Sequence, residues 1–396
     1  MEQYEQINIF DMTLPIFRID KPIRLIELFA GVGSQAMALR DLGADFEHYR
    51  ISEWEVNANR SYKAIHNSDD NTDYSKKFKK FKWLARVMHE YGISVDGRAQ
   101  LTLKEIKNRG EKWCKQTYNE FMANHNIGSI VNAHALDLMI VDTEKFCYIM
   151  TYSFPCQDLS IAGKQKGMKK GSGTRSGLLW EVERLLNECT ELPQVLLMEN
   201  VPAVHSQANM PDFQKWIDFL SSKGYSNYWQ DLNAKDYGVA QNRDRCFMIS
   251  LLGEWNYKFP QPITLERKLK DYLEDEVDEK YYINSEKAQK LIQTLIENGT
   301  LKDGVLYPKD TDFEMDENFN QRGKVHGEEA ICRTILGCGH AGNELKVLSV
   351  GNINPSGNGI NGNVYAGDLS PTITTNKGEG AKICVDLSLN NPIKKR

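Results

Sequence analysis

Short apolar runs alternate with polar, helix-periodic stretches along the first two thirds of this chain. Residues 24–29 (R-L-I-E-L-F) form a compact apolar strand that runs straight into Ala30-Gly31-Val32-Gly33-Ser34-Gln35-Ala36. A helical pattern follows, with Met37, Leu39 and Leu42 apolar and Gly43 as its stop. Residues 146–150 and 194–198 read as two further buried strands, and residues 228–232 and 246–251 as two more. Residues 178–186 and 212–222 carry helical spacing. Residues 130–138 resume the rhythm, ending with Asp137 at an expected strand-to-loop boundary. Strand, glycine turn and helix open a doubly wound α/β fold, in which glycines let the backbone turn tightly and approach a ligand. The expected sheet has helices on both faces.

The texture changes after Gly253. Residues 264–298 are charged and read as helical, and residues 318–382 are rich in Gly, Asn, Thr and Ser with short β-like runs. This predicts a core domain over residues 20–252 and a smaller, irregular, β-rich region over residues 253–396. Residues 69–126 interrupt the first as a basic, mostly helical insert. Between residues 71 and 115 there are twelve Lys/Arg against five acids, interleaved with Phe78, Phe81, Trp83 and Trp113. A solvated helical face is the commoner explanation of such charge, and a phosphate-contacting surface is the sharper one.

Composition narrows the class. The chain has 396 residues, 41% hydrophobic and 26% charged, as in ordinary globular proteins. No apolar run approaches the ~20 residues that span a bilayer, and residues 1–20 lack the basic start of a signal peptide. The eight cysteines include no C-x-x-C pair, which argues against zinc of the usual spacing and against a disulfide framework. The expectation is a cytoplasmic protein with free thiols, no metal and no membrane partner. A net charge of −5 does not advertise nucleic acid, so any such binding must come from local patches.

Candidate chemistry gathers at strand ends. Residues 151–163 read T-Y-S-F-P-C-Q-D-L-S-I-A-G. Pro155 stiffens the exit from the preceding strand, and Cys156 then sits at the sheet edge where α/β proteins bind ligands. On this stretch alone a small buried hydrophobe is the favoured reading; the rest of the chain reverses it. Residues 164–176, rich in Gly, Lys and Ser, read as a mobile lid. Glu199 follows an apolar strand, where a carboxylate is costly unless partnered; a helix cap is its bland reading. Arg243 and Arg245, spaced i, i+2 before a strand, can converge on one anion or ring. Glu53 lies about 20 residues past the glycines, where a ribose hydroxyl needs an acceptor. Trp54 offers a flat face to an adenine, or is a core aromatic. Glycines spaced in this way suggest NAD as readily as any other nucleotide ligand.

The ordered set E-L-F-A-G-V-G-S, S-E-W, A-L-D-L, S-F-P-C-Q-D-L-S, M-E-N-V-P and Q-N-R-D-R-C-F-M-I resembles the DNA cytosine-5 methyltransferase family over residues 24–252. The resemblance implies a Rossmann-like sheet that binds S-adenosyl-L-methionine. It implies methylation of cytosine C5 in a short duplex DNA sequence, as in bacterial or phage restriction-modification systems. Carried over, Phe29, Gly31 and Gly33 line the cofactor site, Glu53 accepts from its ribose, and Trp54, Asp137 and Leu138 hold the adenine. Cys156 is the nucleophile, Glu199 holds the ring at N3, and Arg243 and Arg245 brace it. The region after residue 252 stands where the family carries target recognition, and residues 370–380 (S-P-T-I-T-T-N-K-G-E-G) resemble its end.

Two departures qualify the resemblance: the insert, and a chain end lacking the R-E-x-x-R-L-x-G-F-P-like and G-N-x-V-like segments. The second sets the expectation of an apolar patch and of a second polypeptide needed for activity. Its extreme form is a catalytically silent DNA- or cofactor-binding fragment. A member acting on tRNA shares the six motifs, but the large divergent region after Gly253 favours DNA. An NAD enzyme is argued against by P-C-Q, E-N-V and Q-N-R-D-R together.

Overall fold

The computed structural model describes residues 14–155, 167–171, 174, 176–268, 271 and 286–302, and short segments between 305 and 365. The chain divides into two compact units. The first comprises residues 1–232 and 245–260, and the second residues 233–244 and 261–396.

The first unit is built on a six-stranded sheet. Its strands are β1 (Ile23–Leu28), β2 (Phe46–Ser52), β3 (Cys147–Tyr152), β4 (Val195–Asn200), β5 (Tyr225–Asn233) and, after the two-residue β6 (Gln241–Asn242), β7 (Asp244–Leu252). The order is β2-β1-β3-β4-β7-β5. β2, β1, β3 and β4 are parallel neighbours, and β7 runs antiparallel to β4. Helices α1 (Ser34–Asp41), α7 (Leu179–Glu188) and α8 (Met210–Ser222) cover it.

Alternation along the central strands explains the layering, because successive side chains point to opposite faces. Tyr148, Met150 and Tyr152 of β3 join one core with Ile26 and Leu28, under Val182 and Leu185 of α7 and Phe213, Trp216 and Leu220 of α8. Cys147 and Ile149 join the other, with Leu25, Val195 and Leu251, under Ala36 of α1. All six residues of β3 are buried, so the strand reads as a continuous apolar run rather than an alternating one. The α/β sheet with helices on both faces is thus present, with one antiparallel strand in it.

The insert forms its own small core. Helices α3 (Phe81–Glu90), α4 (Leu103–Asn108) and α5 (Gly110–Ala123) follow α2 (Val56–His66). They bury Leu84, Ala85, Met88, Ile106, Cys114, Tyr118 and Phe121 together with Val56 of α2. The charged residues therefore line the outside of a packed helical subdomain. A reciprocal capping box between Thr102 and Glu105 starts α4.

Three expectations need correction. Residues 130–138 contain no strand: turns lead into the single-turn helix α6 (Ala135–Leu138). Asp137 makes that turn itself, its Oδ2 accepting the His134 N–H at 2.8 Å. Glu199 lies inside β4 rather than beyond it, because β7 extends the pairing through Asn200. In residues 264–298 the described helix is only α9 (Glu286–Glu297), and 264–268 are not helical.

The second unit contains α9 and short strands, three of which form a sheet: Asp312–Glu314, Lys324–His326 and Lys346–Val347. Within this unit β6 pairs in parallel with Cys332–Arg333. Among the described residues no helix is long and apolar enough to cross a membrane.

Candidate active site

The glycine turn after β1 is stiff and strained. Phe29, Gly31 and Gly33 all have positive φ, 58°, 56° and 82°. For Phe29 that conformation costs about 1–2 kcal/mol. Gly33 is the N-cap of α1 and has no side chain to cap with. The β1 acid Glu27 supplies the missing acceptor, taking the Ala36 N–H on Oε1 at 3.2 Å. Its other oxygen takes the Tyr62 hydroxyl at 2.7 Å. Glu27 is 1% exposed. Burial pushes its carboxyl up to about 7, against the pull of the Tyr62 and Ala36 hydrogen bonds.

At the end of β2, Glu53 turns back to this loop. Its Oε2 accepts the Gly31 N–H at 2.9 Å and its Oε1 the Glu55 N–H at 2.7 Å. Burial raises Glu53 to about 7. An alanine Cβ at Gly31 would meet nothing within 4 Å, so something else can approach the backbone there. Half-buried Trp54 stands next in the chain, and the insert grips its backbone: the Ser94 N–H donates to the Trp54 carbonyl at 2.8 Å. The insert thus packs against the segment read as the cofactor's adenine end. Leu138 is buried, but exposed Asp137 lines a cavity of about 540 Å³ with Arg50, Tyr91, Asn126 and Asn132. Phe29, Glu53 and Trp54 are not among the lining residues of that cavity.

The second cluster forms where β3, β4 and β7 meet. Tyr152 pairs with Met198, so parallel register sets Ser153 beside Glu199 and Phe154 beside Asn200. Glu199 pairs with Phe247 of β7, and Arg245 projects from the same side two residues away. Arg245 Nε lies 2.8 Å from Glu199 Oε1, with both side chains under a fifth exposed. The Ser153 hydroxyl donates to Glu199 Oε2 by a short hydrogen bond and lies 3.1 Å from the Glu199 carbonyl.

Three consecutive residues leading to Cys156 are held in this way. Asn200 Nδ2 donates to the Phe154 carbonyl at 3.0 Å, and the Ser176 hydroxyl to the Pro155 carbonyl at 2.7 Å. Cys156 itself lies outside the described residues, as do residues 164–166, 172, 173 and 175. In its described part Met168 is buried and accepts the Trp180 Nε1–H on its carbonyl at 2.6 Å. Lys170 bridges Glu183 at 2.8 Å. That part is joined to α7 by these two contacts.

Arg243 belongs to the second unit, where its N–H donates to Asn233 Oδ1 at 3.1 Å. Glu27, Ser153 and Ser176 escaped the sequence reading. A charge in the middle of a buried strand was the available signal for Glu27; the two serines carry none.

Comparison with known proteins decides the family. The model of the C-5 cytosine-specific DNA methylase family matches residues 99–368. The chain belongs to this family. The type II methyltransferase M2.ScrFI of Lactococcus lactis subsp. cremoris is 36% identical over 266 residues, 66% of this chain and 71% of that protein. The orphan methyltransferase M.SssI of Spiroplasma monobiae is 34% identical over 338 residues, 84% of each chain. Among solved structures, the S. pombe Dnmt2 methyltransferase is 18% identical, with a TM-score of 0.40 over 71% of this chain and 67% of that one. Membership makes this chain a DNA cytosine-5 methyltransferase.

A trio of one buried, one half-buried and one exposed side chain joins β5 and β7 of this methyltransferase. His205 Nε2 is 2.9 Å from both oxygens of Asp231, and Cys246 Sγ lies within 4.8 Å of both groups. Burial and the Asp231 carboxylate push the Cys246 thiol up to about 12, so it stays protonated and donates to Asp231. Hydrogen bonds join His205 to Asp231.

Proposed function

We propose that this chain transfers a methyl group from S-adenosyl-L-methionine to C5 of a cytosine flipped out of a specific duplex DNA sequence, through a covalent Cys156–C6 intermediate. The carrying observation is the Glu199 carboxylate, held by Arg245 and Ser153 at the edge of the sheet, beside the segment that leads into Cys156. The residues around the glycine turn fit the cofactor: Glu53 for the ribose hydroxyls, Gly31 and Gly33 for close backbone approach, Phe29 and Trp54 for the adenine; Asp137 and Leu138 are assigned to the adenine by the family resemblance alone. When bound there, S-adenosyl-L-methionine supplies a methyl group activated on a sulfonium.

C5 of cytosine is a poor nucleophile. Addition of the Cys156 thiolate at C6 breaks the C5–C6 double bond and moves its electron pair toward C5. Glu199 holds N3 and shares a proton with it as charge develops on the ring. Arg245 keeps that carboxylate aligned, and Arg243 is proposed to brace the same ring. Once C5 carries the methyl, loss of the C5 proton restores the double bond and expels the thiolate. A duplex hides C6, so the base must leave the stack.

Residues 20–252 would form the catalytic domain and residues 253–396 the target-recognition region, with the insert at 69–126 a further phosphate-contacting surface. The protein would act in the cytoplasm on nucleoid DNA. Duplex DNA carrying 5-fluorocytosine at the target retains a fluorine that cannot leave C5. Wild type with S-adenosyl-L-methionine should give a covalent adduct stable to denaturation, and Cys156→Ser none. An adduct that persists in Cys156→Ser would remove the cysteine from this role.

A further inference from the structure

We infer that Ser153 is a positioning residue of the methyl-transfer site: its hydroxyl fixes the plane of the Glu199 carboxylate. This rests on the function proposed above. Arg245 reaches Oε1 of that carboxylate at 2.8 Å through Nε. The last torsion of a glutamate is broad and roughly two-fold, so setting its plane takes donors on both oxygens. Ser153 supplies the second donor, on Oε2. Its oxygen also lies 3.1 Å from the Glu199 carbonyl, which sets the hydroxyl against the same residue at two points.

The arrangement follows from register. Tyr152 pairs with Met198, so the next residue of each parallel chain is brought side by side. Ser153 stands three residues before Cys156 in the sequence. One continuous segment thus carries the nucleophile and a donor that orients the acid. Near-attack geometry tolerates little misplacement, and donors on both oxygens limit it.

Single-turnover methylation of duplex DNA by the full chain tests this in a double-mutant cycle. Ser153→Ala should slow the step by about tenfold to a hundredfold, the range for a hydrogen bond to a charged group. The affinities for DNA and S-adenosyl-L-methionine should stay within about twofold, since Ser153 acts only on the reacting carboxylate. In a Glu199→Gln background the same change should cost no more than about twofold, the coupling expected of residues in one network. Ser153→Thr, which keeps the donor, should recover most of the rate. Losses that simply multiply in the double variant, or a Ser153→Thr rate as low as that of Ser153→Ala, would overturn the assignment while leaving the reaction itself standing. A wild type that neither methylates nor traps 5-fluorocytosine DNA would overturn both.

Discussion

Gly31 and Gly33 both hold positive φ, yet the structure gives them different duties, and alanine at each should separate those duties. At Gly33 a Cβ would stand 2.4 Å from His66 Nε2 and 2.6 Å from Tyr62 Cε2. Neither ring yields cheaply. Tyr62 is fully buried and donates to Glu27, and His66 Nε2 sits 3.1 Å from the Val32 carbonyl. Left-handed backbone costs about 1–2 kcal/mol for an alanine, and forced repacking adds about 1–3. Gly33→Ala should therefore lose about 2–5 kcal/mol, a fall in Tm of roughly 5–15 °C for a unit of this size. At Gly31 only the backbone cost of about 1–2 kcal/mol applies, because nothing lies within 4 Å of the added carbon. Its Tm should fall by roughly 2–8 °C. Ligand binding should reverse the order: Gly31→Ala places a methyl where the backbone is read to approach the cofactor. Melting curves with and without S-adenosyl-L-methionine, with calorimetric titration of the folded variants, report both quantities. Equal losses of Tm, or a Gly31→Ala that binds cofactor like wild type, would refute this division.

Glu27 predicts a pH dependence of stability. Its carboxyl is raised from 4.5 to about 7, chiefly by burial, so the folded chain binds its proton more tightly than the unfolded one. The contribution is fully present below about pH 4.5 and is lost as pH climbs to about 7, by up to about 3 kcal/mol. Glu27→Gln should flatten the slope of unfolding free energy across that window, and an unchanged slope would discard the assignment. The basic insert gives a second outcome. Lys76, Lys77, Lys79 and Lys80 are all exposed. If they meet phosphates, changing all four to Gln should reduce the salt slope of DNA binding by several units, at about 0.9 per contact, and leave sequence preference alone. An unmoved slope makes the insert a solvated face.

The strands and the glycine turn were legible because buried parallel strands are continuous apolar runs, and a tight turn announces itself by its glycines. The pairing of Glu199 with Arg245 was not. It depends on the antiparallel register of β4 and β7, which local sequence does not encode. Asp137 misled for the opposite reason: apolar residues around it imitate a strand, while its own carboxylate caps a single helical turn. The insert's charges were visible and its core was not, since Leu84, Met88, Tyr118 and Phe121 meet only when three helices pack. His205, Asp231 and Cys246 come from three separate elements and share no spacing that a motif could reveal.

The reversed strand explains why the acid has partners at all. β3 and β4 run parallel, so their carboxyl ends, with Ser153 and Glu199, lie at one edge of the sheet. A parallel β7 would bring its carboxyl end to that edge and leave its first residues at the opposite one, about 20 Å away for a strand of ordinary length. Because β7 runs antiparallel, it is its beginning that meets the end of β4, and Arg245 is the second residue of β7. Arg245 thereby reaches Glu199 directly from the strand, without a loop to order. An arginine on a strand is positioned by the ladder hydrogen bonds of its neighbours, and a carboxylate on the adjacent strand is positioned by the same ladder. The backbones of both residues are therefore fixed by the sheet, as the role proposed for Glu199 in holding a ring atom requires.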